Sequence, residues 1–203
     1  MCGVVGYSCD NPIKEHYEIL QAIIHQSKIR GLHSFGFSFY DQEVVTIKYH
    51  NIDKIELPPA KKIIYHNRYS TSGDYKNHDN NQPIAIGNMS LVFNGVLDMG
   101  TKQEMEEHYG IQMETDNDGE IVLKLCGTDP DKIQDYVQST SGSFAGLILT
   151  PDNTMYAIRN KNRPLWMLNH SGAVFYASTR DIFKRVDESF EPIELDPYKV
   201  YES

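Results

Sequence analysis

The chain opens with Met1-Cys2-Gly3-Val4-Val5-Gly6, a cysteine followed by a short apolar run. A methionine that precedes a residue as small as cysteine is normally trimmed. Trimming leaves Cys2 with a thiol nucleophile and a free α-amine that can act as its base. Gly3 has no Cβ, so a substrate can approach the backbone beside the thiol closely. Taken alone, the stretch equally fits the first strand of a sheet with a packed thiol.

Composition narrows the class of protein. The chain has 203 residues, enough for one sizeable domain, which we expect to span residues 1–203. Its formal net charge is −9 and it has no run rich in Lys and Arg. This argues against nucleic acid or an anionic membrane as the main partner. With no apolar run of membrane-spanning length and no signal-peptide pattern, we expect a cytoplasmic protein.

The cysteines and histidines do not have the sequence spacing of metal ligands. Cys2, Cys9 and Cys126 are an odd, widely spaced set, which fits neither a disulfide framework nor a zinc site. The eight histidines are scattered, without a pair at helical i, i+4 spacing. We therefore expect neither a metal nor a cofactor.

The order of predicted elements indicates the fold class. Ile13, Tyr17, Leu20 and Ile24 recur at helical spacing and predict an amphipathic helix over residues 12–29, with Asn11 as its N-cap. Short strands then continue to residue 95, helices follow over residues 101–138, and strands return over residues 143–177. This order lacks regular βαβ alternation. It predicts an α+β protein with mostly antiparallel sheets and helices segregated to the outside.

Three polar stretches could carry chemistry. Arg68 leaves a predicted strand and is followed by hydroxyls and a glycine, which suits capture of a carboxylate, although a surface arginine would look the same. Asn94-Gly95 is either a turn between strands or a pair of donors for an oxyanion. Asp118 is either a helix N-cap or an acid that holds a substrate ammonium. A calcium loop is rejected, because Leu125 stands where the bidentate glutamate is required.

The order and spacing of nine motifs resemble the class II glutamine amidotransferase domain, as found in glutamine phosphoribosylpyrophosphate amidotransferase and glucosamine-6-phosphate synthase. The motifs are Met-Cys-Gly-Val-Val-Gly, Arg30-Gly31-x-x-Ser34-x-Gly36, Arg68-Tyr69-Ser70-Thr71-x-Gly73, Gln82-Pro83, Asn94-Gly95, Asp118-x-Glu120, Gly142-x-Phe144-Ala145, Arg163-Pro164-Leu165 and Ala177-Ser178. They cover nearly the whole chain, and those at Cys2 and at Arg68 to Gly73 are the specific ones.

The resemblance implies a four-layer αββα sandwich of the N-terminal-nucleophile (Ntn) hydrolase type and hydrolysis of glutamine to glutamate and ammonia. The implied catalytic residues are Cys2, Asn94, Gly95 and Arg30: a nucleophile with its own α-amine as base, two oxyanion donors, and a support for the Cys2 end. The implied substrate-binding residues are Arg68 and Thr71 for the α-carboxylate, Asp118 for the α-ammonium, and Tyr69. The loop over residues 73–82 is implied to close over the substrate.

Two departures from the family pattern bear on the site. His33 stands where relatives usually have aspartate, which affects the packing around Arg30, and the asparagine often found shortly after Asn94-Gly95 is missing from residues 96–99. Because the sequence stops at Ser203 without a synthase region, we expect the ammonia acceptor on a separate synthase subunit.

Three functions stay open: a glutaminase subunit that feeds a synthase, a stand-alone γ-glutamyl amidohydrolase, and an inactive module that senses glutamine or acts as a scaffold. Association with further copies of the chain stays open as well.

Overall fold

A computed structural model describes residues 1–69 and 76–203 of the chain. Within these ranges it contains twelve strands and five α-helices. The strands are β1 Gly3–Ser8, β2 Ser34–Asp41, β3 Glu43–Tyr49, β4 Lys62–Arg68, β5 Ile84–Ile86, β6 Met89–Val96, β7 Ser143–Leu149, β8 Met155–Arg159, β9 Trp166–His170, β10 Ala173–Ala177, β11 Ile193–Glu194 and β12 Val200–Glu202. The helices are α1 Lys14–Ser27, α2 Lys102–Tyr109, α3 Glu120–Cys126, α4 Pro130–Ser139 and α5 Arg180–Val186.

The strands form two antiparallel sheets. The larger sheet has the order β11-β9-β10-β1-β4-β2-β3, and the smaller one has the order β12-β8-β7-β6-β5. Strand β1 lies inside the larger sheet, paired with β10 on one side and β4 on the other. All six of its residues are buried, as expected for a strand that is covered on both faces.

Three apolar layers separate four layers of secondary structure. On the outer face of the larger sheet, Val5 and Tyr7 pack with Leu20 of α1 and Phe183 of α5. Between the sheets, a second cluster brings together side chains of β1, β4, β6, β7, β8 and β10: Val4, Ile64, Val92, Leu147, Ala157 and Tyr176. A third cluster joins the smaller sheet to α3 and α4. The arrangement is the αββα sandwich, so the predicted fold class is confirmed.

The start of the first helix differs from the prediction. Helix α1 begins at Lys14, and the N-cap position belongs to Ile13 instead of Asn11. The backbone N–H of Ile13 donates to Nδ1 of buried His16 at 3.4 Å, so a histidine inside the helix satisfies the donor that the predicted cap would have met. None of the helices in the described ranges is long and apolar enough to cross a membrane.

A buried amide fixes the start of β1 against the end of α1. Asn67 Nδ2 donates to the carbonyl oxygens of Ser27 and Gly31, both at 3.0 Å, and its Oδ1 accepts from the Ser27 hydroxyl at 3.0 Å. Opposite Asn67 in the ladder stands Gly3. A Cβ on Gly3 would lie 2.1 Å from Asn67 Oδ1, so the glycine after Cys2 is required by this close packing.

We expect Asn67→Ala to lower the free energy of unfolding by roughly 2–4 kcal/mol, because it leaves buried carbonyl groups without donors. Urea denaturation measures the loss. Asn169→Ala, on the exposed side of β9, is the matched control and should change the stability by less than about 0.5 kcal/mol. Equal effects of the two substitutions would contradict this structural role.

Candidate active site

A cavity of about 420 Å³ opens where the N-terminal end of β1 meets the C-terminal ends of β4 and β6. Five of its lining residues come from the predicted site: Cys2, Arg68, Tyr69, Gly95 and Asp118. The remaining lining residues are Gln82, Phe93, Val96, Asp98, Met99, Gly100, Met105, Asp116 and Asn117. Side chains from both sheets and from the loop before α3 therefore meet around one space.

Cys2 lies at the entrance to β1 and is partly exposed. Its Sγ lies 3.9 Å from the carbonyl oxygen of Tyr69, the residue after β4. The antiparallel pairing of Gly3 with Asn67 accounts for this contact, since it brings the start of β1 beside the end of β4. The thiol is therefore accessible from the cavity.

Arg30 supports the backbone of the nucleophile without lining the cavity. It ends a short 3₁₀ turn, Lys28–Arg30, that follows α1. Its Nε donates to the carbonyl oxygen of Cys2 at 3.2 Å, and its Nη2 lies 3.6 Å from the sulfur of Met1. Burial is the main cause that lowers the pKa of Arg30 below its ordinary value.

Asn94 and Gly95 lie within β6, which continues to Val96, so they do not form a turn. Asn94 is 4% exposed, and its Nδ2 has no hydrogen-bond partner among the described residues. Alternation along the strand puts Asn94 on the same face as Val92, toward the layer between the sheets. Gly95 has a φ of 150°, and a Cβ there would lie 1.8 Å from the carbonyl oxygen of Ser143. Only glycine fits at this position.

Asp118 is a half-buried acid and not the N-cap of α3, a position that Gly119 occupies. Its Oδ2 accepts from the backbone N–H groups of Leu97 at 2.6 Å and Asp98 at 3.2 Å. Burial raises the pKa of Asp118, and these two N–H groups act in the opposite direction. Among residues 1–69 and 76–203, no salt bridge involves Asp118. Its carboxylate is thus fixed at the cavity without a cationic partner there.

Arg68 and Tyr69 form another part of the cavity lining. Arg68 Nη1 donates to the carbonyl oxygen of Asn80 at 3.0 Å and to Oδ1 of Asn81 at 2.6 Å, so the end of the loop over residues 73–82 orients the guanidinium. Tyr69 is 50% exposed, and its ring stacks on His33 with a centroid distance of 5.3 Å. The residue at the aspartate position of the family thus packs against the site. Thr71 lies outside the described residues.

Three residues support the site although the sequence did not reveal this role: Gln82, Glu120 and His66. Gln82 Oε1 accepts from the N–H of Phe93 at 2.6 Å, which ties the wall of the cavity to the strand that carries Asn94. Glu120 is fully buried and accepts from the N–H groups of Glu114 and Thr115, which closes the loop that carries Asp118. The motifs Gln82-Pro83 and Asp118-x-Glu120 were the available signal.

His66 is the third. It lies two residues before Arg68 and is 1% exposed, and neither ring nitrogen has a hydrogen-bond partner among the described residues. Burial lowers its pKa to about 3, and the charge of Arg68 acts in the same direction. A neutral imidazole therefore lies between the sheets beside the site.

The chain is similar to known amidotransferases along most of its length. A family model described as a glutamine amidotransferase domain matches residues 66–185. The glutamine–fructose-6-phosphate aminotransferase of Listeria monocytogenes is 27% identical over 213 residues, which covers 97% of this chain and 35% of that protein. The chain spans about a third of the length of the curated relatives it matches.

Solved structures share the fold. The structure of glutamine phosphoribosylpyrophosphate amidotransferase from Bacillus subtilis, in complex with ADP and GMP, matches with a TM-score of 0.71 and 22% identity, over 100% of this chain and 49% of that one. A predicted glutamine amidotransferase from Pseudomonas aeruginosa matches with a TM-score of 0.54 and 10% identity, over 99% and 95% of the two chains. The fold is thus that of the Ntn hydrolases. The chain belongs to the glutamine amidotransferase domain family, in its class II form.

The buried His66 predicts a pH-dependent stability. Below pH 6.5 the unfolded chain takes up a proton at His66, whereas the folded chain does so only near pH 3. The free energy of unfolding therefore falls as the pH falls through this window. When the pH is lowered from 7 to 5, the wild type should lose about 2 kcal/mol of its free energy of unfolding through His66. We expect His66→Gln to abolish this part of the loss.

Urea denaturation at the two pH values measures this loss in both proteins. The control is His108→Gln, on the exposed side of α2. A pH dependence unchanged by His66→Gln would refute the assignment of a buried, neutral imidazole.

Proposed function

We propose that the protein hydrolyses the side-chain amide of L-glutamine to glutamate and ammonia, with Cys2 as the nucleophile after removal of Met1. One observation carries the proposal: a single cavity is lined by the thiol of Cys2, by Gly95, by a cation at Arg68 and by an acid at Asp118. The buried amide of Asn94, whose Nδ2 has no partner among the described residues, directly precedes Gly95. Glutamine offers an amide carbon, a carboxylate and an ammonium group, and the cavity provides a group of matching chemistry for each.

The reaction proceeds through two acyl-transfer steps. The α-amine of Cys2 takes the thiol proton, and the sulfur attacks the amide carbon of the substrate. Asn94 Nδ2 and the N–H of Gly95 stabilise the oxyanion that forms. The amine returns the proton to the leaving nitrogen, ammonia departs, and a γ-glutamyl thioester stays on Cys2. Water, deprotonated by the same amine, then releases glutamate and restores the thiol.

The charged groups bind the amino-acid end of the substrate. Arg68 binds the α-carboxylate, for which a guanidinium offers paired donors. Asp118 binds the α-ammonium, because a half-buried carboxylate without a cationic partner gains stability when it pairs with one. Thr71 assists Arg68, and Tyr69 borders the bound substrate. Arg30 holds the Cys2 carbonyl group and so orients the nucleophile.

The ammonia is passed to a separate synthase that uses it, as the printed names of the amidotransferase relatives suggest. We place the protein in the cytoplasm, where its three free cysteines suit a reducing compartment. The proposal requires no cofactor or metal and involves no nucleic acid or membrane.

The test is the intact mass of the purified protein before and after incubation with 6-diazo-5-oxonorleucine, a reactive glutamine mimic. We expect loss of Met1 and one adduct, and no adduct in Cys2→Ala. Retention of Met1 and absence of an adduct would overturn the proposal in favour of an inactive module. If trimmed protein turns over γ-glutamyl dipeptides but not glutamine, the protein is a γ-glutamyl amidohydrolase.

Asn94→Ala tests the oxyanion site separately. We expect kcat for glutamine hydrolysis to fall by about 10²–10³, with a small change in KM, because the donor acts mainly in the transition state. Asn169→Ala is the matched control and should leave both constants unchanged. A large rise in KM with an unchanged kcat would instead show that Asn94 binds the substrate.

A further inference from the structure

Two arginines converge on the residue that maturation removes. Arg163 Nη1 lies 3.4 Å from the sulfur of Met1, and Arg30 Nη2 lies 3.6 Å from the same atom. Arg30 also holds the carbonyl oxygen of Cys2 through Nε at 3.2 Å. Once Met1 is removed, the new α-amine of Cys2 therefore lies in the vicinity of two guanidinium groups.

A well-anchored loop carries Arg163. Asn160, at its start, exchanges hydrogen bonds with the backbone of Phe144 and donates to the carbonyl oxygen of Gly142. The N–H of Arg163 donates to the carbonyl oxygen of Asn160 at 3.4 Å. At the other end, Leu165 is fully buried and accepts from the N–H of Leu195 at 3.0 Å. The position of the arginine is thus set by contacts that do not involve Met1.

Neither arginine forms a salt bridge within residues 1–69 and 76–203. Burial is the main cause that lowers the pKa of Arg30. The thiolate charge of Cys2 raises this pKa, and the charge of Arg163 lowers it further. The three groups are therefore within electrostatic reach of one another. The other charged groups of the site line the cavity and belong to different elements: Arg68, Asp98, Asp116 and Asp118.

Two of these acids are already engaged. Asp118 accepts from the N–H groups of Leu97 and Asp98. Asp98 accepts from the N–H of Gly100 and the hydroxyl of Tyr109, and the first of these bonds is the main cause that lowers its pKa. Their carboxylates are thus oriented by the cavity wall, whereas the two arginines border the N-terminus itself.

We propose that Arg163 is a positioning residue that, together with Arg30, opposes protonation of the Cys2 α-amine and so keeps this base available near neutral pH. The role rests on the function proposed above. A protonated amine would place a third positive charge beside two guanidinium groups, which stay charged at any pH of interest.

The first experiment is independent of turnover. In processed Cys2→Ala protein, which keeps the α-amine but has no thiol, the pH dependence of trace acetylation at the N-terminus is followed by mass spectrometry. Adding Arg163→Met should move the midpoint of this titration up by about one pH unit, a roughly tenfold loss of free amine below the midpoint. Arg163→Lys, which keeps the positive charge, should bring the midpoint most of the way back to its original pH. A midpoint unmoved by Arg163→Met would overturn the proposal.

The second experiment uses the intact nucleophile. We expect Arg163→Met to shift the acid limb of kcat/KM for glutamine upward by about the same amount and to leave the high-pH plateau nearly unchanged. Arg180→Met is the control for charge, since Arg180 is an exposed arginine of α5 that pairs with Glu191. If the high-pH plateau of kcat/KM falls while its acid limb stays in place, the role of Arg163 is purely structural and the proposal is refuted. Absence of turnover in the wild type would refute the proposed function but leave the amine titration decisive.

Discussion

The antiparallel pairing of β1 with β4 is the constraint on which the site depends. It brings the residue before β1 beside the residues that end β4, so the thiol of Cys2 and the guanidinium of Arg68 reach one cavity. The pairing is close because Gly3 lets Asn67 pack against the backbone, and Asn67 in turn holds the end of α1. One buried amide thus sets the place of the N-terminus and, through the turn after α1, that of Arg30.

The second half of the site depends on the packing of the sheets against each other. Gly95 belongs to the smaller sheet and lines the same cavity as Cys2 because the layer between the sheets is closely packed. Gly95 lies so close to the backbone of β7 that no side chain fits there. Asp118 is held by the backbone just after β6, so its position is tied to the strand that carries Asn94 and Gly95. A change in sheet separation would therefore separate the nucleophile from all three groups at once.

Much of this arrangement could be predicted from the sequence, because strand alternation and helical periodicity depend on neighbouring residues. The existence of α1, the order of strands and helices, and the α+β fold class follow from such local patterns. The start of α1 could not be predicted, since a buried histidine replaces the expected cap. The continuation of β6 through Asn94-Gly95 depends on pairing with β7, which lies about fifty residues further along. The roles of the site residues and the single domain over residues 1–203 stay predictions.

The charged groups near Cys2 fall into two sets. Arg30 and Arg163 contact Cys2 and Met1, whereas Asp98, Asp116 and Asp118 line the cavity together with Arg68. An acid beside the α-amine would stabilise its protonated form and remove the base, and a cation beside Asp118 would compete with the substrate. Because burial raises the pKa of Asp118, an ammonium bound there, as we propose, would offset the cost of burying this carboxylate. In the proposed mechanism, keeping acids away from the α-amine preserves the base, and keeping cations away from Asp118 leaves its carboxylate open to the substrate.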